Sequence, residues 1–249
     1  MRSGRYKITL ISKIMNKIIK QVRNELKANA DEQVKKSSQR FCKEKVKFHG
    51  VKSAIIRKIA KDCFLEIKNL SKKEIFALCQ ELYISGFCEE AGIAGIWADR
   101  IHDRFSPGDF KIFERWINEY IDNWATCDNL CNHAVGSFIQ MYPDYLAGLK
   151  KWTKSKNRWL RRAAAVTLII PARKGKFLKD IFQIAGNLLT DEDDMVQKGY
   201  GWMLKEASRK HQAQVFDFVV KNKANMPRTA LRYAIEKMPA NLRKQAMVK

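Results

Sequence analysis

Apolar side chains recur at helical spacing along nearly the whole chain, and no other feature constrains the fold as much. In the segment KIFERWINEYI the apolar residues are separated by charged ones, which is the pattern of an amphipathic helix. These apolar residues are Ile112, Phe113, Trp116, Ile117, Tyr120 and Ile121. The segment FLKDIFQIAGNLL repeats the pattern, and no convincing hairpin signal occurs. The sequence therefore predicts an all-α fold.

Helix-start signals and prolines divide this pattern into helical pairs. Ser71 and Glu74 have the spacing of a capping box, and starts are also expected at Ser106-Pro107 and at Thr190. Several prolines lie about one helical pair apart, near the ~40-residue period of HEAT-like repeats. We expect a curved solenoid of stacked antiparallel helical pairs that forms a single domain over residues 15–249. An irregular helical bundle is the alternative, and residues 1–14 are a possible N-terminal extension.

The charge of the chain points to a polyanionic partner. The chain has 48 Lys and Arg against 26 Asp and Glu, a formal net charge of +22. Two basic sectors, residues 1–58 and 146–249, flank a mildly acidic centre. Such an excess favours binding to nucleic acid or to an anionic membrane surface, although a well-solvated basic surface is the simpler alternative. No segment reaches the ~18 apolar residues of a membrane span.

The six cysteines are too sparse for a disulfide scaffold. We expect reduced thiols in a cytoplasmic protein. Cys127, Cys131 and His133 have a spacing that suggests zinc, but three candidate ligands on one helix make a poor site. We therefore expect neither a metal ion nor a cofactor.

The segment from residue 145 to 179 contains no acidic residue. Because no acid neutralises it in the sequence, we expect its lysines and arginines to contact DNA phosphates. Trp152 and Trp159 are interleaved with these charges. The alternative is a solvated helix end whose tryptophans pack inward. The residues assigned to DNA binding are Lys150, Lys151, Lys154, Lys156, Arg158, Arg161, Arg173, Lys174 and Lys198.

Two further segments place aromatic, acidic and basic residues together. In NWATCDNL, the four-residue spacing puts Trp124 and Asp128 on one helix face. By itself, Asp128 would be interpreted as a helix-cap or buried ion-pair acid. In NRWLRR, an arginine is available to bind a phosphate or a carboxylate such as that of Asp128, and periodicity does not choose between Arg161 and Arg162.

Two glycines come shortly before Trp202 in the segment KGYGWMLKE. Gly199 and Gly201 each disfavour a helix by about 1 kcal/mol relative to alanine. They suggest close approach of a neighbouring helix or of a ligand to this segment.

Together these segments carry a family resemblance. The segments VKFHGVKSAIIRKIAK (46–61), NWATCDNLC (123–131), NRWLRRAAAV (157–166) and VQKGYGWMLKE (196–206) resemble those of the AlkD-type DNA alkylation-repair family, which consists of HEAT-like-repeat DNA glycosylases. The similarity runs from about residue 15 to about residue 240. Each segment alone is weak, and the four in order and at this spacing are fairly specific.

The resemblance implies roles for four residues. Trp124 and Asp128 match the family's catalytic pair, Arg162 matches its active-site arginine, and Trp202 matches its second aromatic wall. The implied activity is release of cationic N3- or N7-alkylated purines, such as 3-methyladenine and 7-methylguanine, from duplex DNA by a monomer, without flipping of the lesion into a pocket. A carboxylate such as Asp128 stabilises the oxocarbenium ion that bond breaking leaves on the sugar. Ala125-Thr126 departs from the family pattern and leaves the lesion spectrum open.

Two other functions remain as alternatives. The first is a catalytically silent member of the family that binds damaged or branched DNA through its basic residues. The second is a helical scaffold for an acidic protein partner.

Overall fold

The computed structural model describes residues 2–248, with side chains described for residues 13–248. Within this range the chain is all-α and has no β-strand, only an isolated bridge between Lys47 and Phe87. The predicted all-α fold class is confirmed. The helices are α1 (Arg2–Ala28), α2 (Glu32–Arg40), α3 (Ser53–Ile67), α4 (Lys72–Ile84), α5 (Cys88–Arg100), α6 (Asp109–Tyr120), α7 (Trp124–Leu130), α8 (Gly136–Met141), α9 (Leu146–Trp152), α10 (Arg158–Val166), α11 (Ile169–Arg173), α12 (Leu178–Asn187), α13 (Asp194–Ala207), α14 (Gln212–Asn222), α15 (Arg228–Ile235) and α16 (Ala240–Met247).

Three shorter helical segments complete the described chain. The segments His102–Arg104 and Pro143–Tyr145 are 3₁₀-helices, and Cys131–Val135 is a π-helix. None of the helices among the described residues is long and apolar enough to span a lipid bilayer.

The predicted helix starts have mixed outcomes. The capping box before α4 is confirmed, because the Ser71 hydroxyl accepts the N–H of Glu74 and the Glu74 carboxylate accepts the N–H of Ser71. The start at Thr190 is wrong, since the carboxylate of Asp193 caps α13 instead. An aspartate three residues later offers the same type of acceptor and competes with the hydroxyl.

The helices pack into two compact units. The first unit, residues 2–104 with 120–130, has α5 at its centre, where this helix packs against α3, α4 and α7. Trp97 of α5 is fully buried, and its Nε1 donates to the carbonyl of Ala60 at 2.8 Å. This hydrogen bond holds α5 against α3. It thereby positions the face of α5 against which α7 packs.

The second unit, residues 105–119 with 131–248, is built around α13. This helix packs against α10, α11 and α15. A separate aromatic core of the same unit joins α6, α8 and α9, with Phe110 stacked on Trp152 at a centroid distance of 4.8 Å. The expected single domain over residues 15–249 stays a prediction. The possible extension, residues 1–14, lies largely outside the residues whose side chains are described.

Candidate active site

The start of α7 is fixed by the residue before it. Asn123 is buried, its Oδ1 accepts the N–H of Thr126 at 3.0 Å, and its carbonyl accepts the Thr126 hydroxyl at 3.2 Å. Asparagine is among the strongest N-cap residues. Trp124 and Asp128 therefore lie in the first and second turns of a helix whose start is locked.

Trp124 is held at its indole nitrogen. Its Nε1 donates to the carbonyl of Phe41, the C-cap residue of α2, at 3.0 Å. The ring is half-buried. This bond joins α7 to α2 inside the first unit and orients the ring.

Asp128 is a buried acid, with 8% of its surface exposed. It follows Trp124 by one helical turn, so α7 presents the two side chains on one face. The structure therefore has the predicted aromatic ring and carboxylate one turn apart on one helix.

A cavity of about 510 Å³ opens beside Trp124, wholly within the first unit. Four residues of α7 line it, together with residues of α2, α3, α5 and the loop between α2 and α3. Its lining consists of Ser38, Phe41, Cys42, Phe48, Val51, Ser53, Ile56, Arg57, Cys88, Glu89, Gly92, Ile96, Trp124, Ala125, Thr126 and Asn129. Sequence reasoning did not find this cavity. The available signal was Phe41, an aromatic residue within a basic stretch, which proves to be 72% exposed.

Two cysteines of the lining are neutral thiols. Burial raises the pKa of the Cys42 thiol, and the carboxylates of Glu44 and Asp122 raise it further. Burial, with a contribution from Glu89, also raises the pKa of the Cys88 thiol. Neither side chain is a thiolate nucleophile at neutral pH.

Glu89 organises the loop that forms one edge of the cavity. Its carboxylate accepts the backbone N–H groups of His49, Gly50 and Val51 at 2.8–3.2 Å. Gly50 has φ of +92°, and a Cβ there would collide with the Asp31 carbonyl. The glycine is therefore required by both its backbone conformation and its neighbour.

The adjacent acid, Glu90, forms a buried ion-pair cluster. It bonds His49 Nε2 at 3.1 Å and Arg23 Nε at 3.1 Å. Burial alone would raise the pKa of Glu90, but the bonds from His49 and Arg23 lower it below its ordinary value. This cluster ties α1 and the loop after α2 to α5.

Arg162 lies in the second unit and is 4% exposed. Its Nη1 donates to the carbonyl of Met195, the second residue of α13. Gly199 makes room for it, because a Cβ at that position would stand 3.3 Å from Arg162 Cγ. Periodicity in the sequence did not choose between Arg161 and Arg162. In the structure, Arg162 is the more deeply buried of the two.

Trp202 is half-buried on α13, and its Nε1 donates to Glu206 Oε1 at 3.4 Å. Glu206 is itself bound by Arg173 and Arg209, both at 2.7 Å. Burial would raise the pKa of Glu206, but these two guanidinium groups hold it below its ordinary value. Trp124 and Asp128 are thus fixed within the first unit, and Arg162 and Trp202 within the second.

The glycines that precede Trp202, Gly199 and Gly201, allow neighbouring side chains and helices to pack closely against α13. The segment remains helical throughout α13. A Cβ at Gly201 would lie 2.7 Å from both the Ala230 carbonyl and Tyr233 Cβ of α15. The expected close approach of a neighbouring helix is confirmed at Gly201.

The expectation that no acid neutralises the basic stretch is wrong. Acids of the second unit pair with five of the nine residues assigned to DNA binding. These pairs are Lys150–Asp180 (2.7 Å), Arg158–Asp193 (2.7 Å), Arg161–Asp191 (2.6 Å), Arg173–Glu206 (2.7 Å) and Lys198–Asp194 (3.2 Å). For the four pairs that start from the segment 145–179, the sequence window contained only the basic side, because the acids lie about 30 residues further along the chain. The fifth pair joins Asp194 and Lys198, four residues apart on α13.

The other four assigned residues have no ion pair among the described residues. These are Lys151, Lys154, Lys156 and Lys174, and all four are exposed. The two tryptophans of the stretch pack inward: Trp152 is 2% exposed and donates to Glu114 at 2.6 Å, and Trp159 is 6% exposed. Both rings belong to the core. This agrees with the alternative interpretation, in which the tryptophans of this segment pack inward.

Residues 13–248 contain no group of three or more His, Cys, Asp or Glu side chains arranged to hold a metal ion. No disulfide joins the six cysteines.

Comparison with known proteins gives consistent results. A family model described as DNA alkylation repair enzyme matches residues 22–238. The fold is similar to that of a predicted DNA alkylation repair enzyme from Enterococcus faecalis, with a TM-score of 0.75 at 17% identity over 85% of this chain and 98% of that one. It is also similar to the alkylpurine DNA glycosylase AlkC of Pseudomonas fluorescens bound to DNA with an abasic site analogue, with a TM-score of 0.51 at 14% identity over 97% of this chain and 66% of that one. No curated protein sequence gives a significant match.

Proposed function

Because the chain belongs to the DNA alkylation repair enzyme family, we propose that it is a DNA glycosylase that releases cationic N3- or N7-alkylated purines from duplex DNA. One neighbour in fold is described as an alkylpurine DNA glycosylase and was captured with DNA containing an abasic site analogue. An abasic site is what such a reaction leaves in the DNA.

The observation that carries the proposal is the pairing of Trp124 and Asp128 on α7. The helix start is locked by Asn123, the indole is bonded to Phe41, and the acid follows one turn later. A catalytic carboxylate has to be held in position before charge develops, and this helix provides that support.

The reaction needs little more than this carboxylate and water. An alkylated purine already carries a positive charge, so the glycosidic electron pair leaves with the base without prior protonation. The deoxyribose is left as an oxocarbenium ion. Asp128 stabilises that cation and orients the attacking water, which adds to C1′ and releases its proton to solvent. The products are the free alkylpurine and an abasic site.

The other residues of the proposed site bind and orient the substrate. Trp124 and Trp202 each offer an aromatic face, and such faces attract cations. Arg162 is the active-site arginine, held at Met195 by its Nη1. The nine basic residues of the second unit contact DNA phosphates, and the four without ion pairs contribute most of that charge. A monomer suffices, and no metal ion or cofactor takes part.

Base release from methylated DNA tests the proposal. The purified protein is incubated with duplex DNA treated with a methylating agent, and the soluble fraction is analysed by mass spectrometry. We expect 3-methyladenine, 7-methylguanine or both, with unmodified bases retained in the DNA. Salt-sensitive binding to the same duplex without any base release would instead support the catalytically silent DNA-binding alternative.

A further inference from the structure

The buried carboxylate of Glu206 accepts hydrogen bonds from three side chains of the second unit. We propose that Glu206 is a positioning residue, which holds Arg173 and Arg209 as a binding site for one backbone phosphate of DNA and fixes that site relative to Trp202. The inference rests on the proposed function. It adds roles for Glu206 and Arg209, two residues to which the family resemblance gives none.

The two oxygens of this carboxylate have different partners. Oε2 accepts the Nε of Arg173 and the Nε of Arg209, both at 2.7 Å, and Oε1 accepts the Nε1 of Trp202 at 3.4 Å. The Glu206 side chain is 4% exposed. Charge-assisted hydrogen bonds are about twice as strong as neutral ones. The carboxylate therefore ties both guanidinium groups to the indole.

Both arginines keep most of their donors for a ligand. A guanidinium carries several N–H donors in a planar fork, and each of these two uses its Nε on Glu206. Their Nη groups make no hydrogen bond among the described residues, and the side chains of Arg173 and Arg209 are 52% and 45% exposed. Guanidinium groups bind phosphate through two parallel N–H donors. The pair thus presents oriented phosphate donors at the surface.

The charge of the cluster matches a phosphodiester. Two guanidinium groups face one carboxylate, so the cluster keeps an excess of one positive charge. A phosphodiester carries a single negative charge. Lys150 differs from these arginines, because its one ammonium group is already paired with Asp180 at 2.7 Å and its side chain is only 27% exposed. An ion-paired arginine with free Nη groups therefore still binds phosphate where such a lysine does less.

Two loops bring further positive charge to the same surface. The loop that follows Arg173 meets the loop after α13, where His211 Nε2 donates to the Gly175 carbonyl at 3.0 Å. Gly175 has φ of +78°, and a Cβ there would stand 3.3 Å from His211 Nε2. The exposed lysines of these loops, which have no ion pair among the described residues, are Lys174, Lys176 and Lys210. The arginine pair therefore lies within a larger positive surface, as binding to a phosphate backbone requires.

The cluster follows Trp202 along α13. Glu206 lies one helical turn after Trp202, and Arg209 lies just beyond the end of the helix. Cations are favoured at a helix C-terminus, which adds to the stability of this arrangement. A phosphate bound by the arginines is therefore held at a defined place relative to the Trp202 ring.

Salt-dependent binding to duplex DNA tests the phosphate site without catalysis. The variants are Arg173→Gln, Arg209→Gln and the double variant, and Arg243→Gln, at an exposed arginine of α16, is the matched control. We expect each single variant to reduce the slope of log affinity against log salt by about 0.9, because loss of either arginine removes the excess charge that binds one phosphate. The double variant should also reduce it by about 0.9, since both arginines bind the same phosphate. Arg243→Gln should leave the slope unchanged.

Glu206→Gln separates positioning from charge. Loss of the negative charge by itself predicts tighter DNA binding and a steeper slope. We expect instead that the variant binds DNA no more tightly than wild type. Its single-turnover rate of base release at saturating protein should fall at least about tenfold, because Trp202 and the bound phosphate lose their relative placement. Glu192→Gln removes the same charge at an exposed acid of the same unit and should keep the wild-type rate.

Arg209→Lys is the second variant for positioning, and it decides the matter if Glu206→Gln does not fold. It keeps the positive charge at an exposed site and removes the planar guanidinium. DNA affinity should fall toward that of Arg209→Gln, because an ammonium group does not reproduce the oriented fork. Wild-type affinity of Arg209→Lys would overturn the inference.

Three other results overturn it as well: arginine variants that behave like Arg243→Gln, slope changes that add to about 1.8 in the double variant, or a Glu206→Gln protein that binds DNA more tightly and releases bases at the wild-type rate. Base release by the wild-type protein separates these failures from failure of the proposed function. Release with unchanged slopes keeps the glycosylase and removes the phosphate site. The expected slope changes without release by the wild-type protein keep the phosphate site and remove the glycosylase.

Discussion

The indole nitrogens of the two proposed wall residues differ in how firmly they are held. Trp124 Nε1 donates to the Phe41 carbonyl at 3.0 Å, and Trp202 Nε1 donates to Glu206 at 3.4 Å. Trp124→Phe should therefore lower the free energy of unfolding by about 1 kcal/mol beyond the effect of Trp202→Phe, because it removes the better hydrogen bond. Urea denaturation of the two variants measures the difference. An equal loss in both would mean that the bond to Phe41 does not stabilise the first unit.

Glu206 should make stability depend on pH. Its pKa lies below the ordinary value of 4.5 in the folded protein because Arg173 and Arg209 stabilise the carboxylate. The stabilisation is therefore fully present above pH 4.5 and is lost as the pH falls through the lowered pKa.

Replacement of Glu206 tests this dependence. Glu206→Gln should lower the free energy of unfolding at neutral pH by about 1–3 kcal/mol, since two charged donors lose their acceptor. The gap between variant and wild type should narrow in acid. Denaturation curves over a pH series measure it, and a gap that stays constant from neutral pH to well below pH 4 would contradict the assignment.

The sequence located several of these residues but not their partners. The Trp124–Asp128 spacing and the arginine pair at 161 and 162 were visible because each lies within one helix. The carboxylates that bind Arg161 and Arg173 were not, because Asp191 and Glu206 lie some 30 residues further along the chain. Local patterns report spacing on one element, whereas neutralisation of a charge depends on how elements pack.

At the scale of the helices, the close approach of α13 to α15 depends on Gly201. Gly201→Ala puts a methyl group 2.7 Å from two atoms of α15, so we expect a loss of about 1–3 kcal/mol from overpacking. Gly186→Ala on α12 meets no atom within 4 Å and should gain about 0.5–1 kcal/mol from helix propensity. Thermal denaturation compares the two, and a stabilising Gly201→Ala would show that α13 and α15 can separate at no cost.

A helix start was predictable where a second residue supported the cap. Ser71 has Glu74 at the spacing of a capping box and caps α4. Thr190 is followed by four acids, and one of them, Asp193, caps α13 instead. At Ser106 the Asp109 carboxylate accepts the serine N–H at 2.7 Å, and α6 begins at Asp109 rather than at Pro107. A sequence rule names candidates for a cap, and tertiary packing chooses among them.

For the whole molecule, affinity for DNA should depend on which charges are already paired. Lys150 is bound to Asp180 at 2.7 Å, whereas its neighbour Lys151 has no ion pair among the described residues. Lys151→Ala should reduce the slope of log affinity against log salt by about 0.9, the contribution of one phosphate contact. Lys150→Ala should change the slope less. Equal effects of the two variants in a salt titration on duplex DNA would contradict this ranking.

The cavity could not be read from the sequence. Its lining runs from residue 38 to residue 129 and combines four helices and a loop. The sequence placed Trp124 and Asp128 on one helix, which is α7. It did not reveal that Gly92, Phe41 and Asn129 face one space, because that depends on how α5 packs against its neighbours.

Asp128 is proposed to stabilise a cation on the sugar, and single-turnover base release by the Asp128→Asn variant measures that stabilisation. Asp144→Asn, at an exposed aspartate of the second unit, is the control. We expect a rate about 10²–10³-fold below wild type for Asp128→Asn, with DNA affinity and thermal stability close to wild type and with Asp144→Asn fully active. Wild-type rates of base release by a folded, DNA-binding Asp128→Asn protein would contradict it.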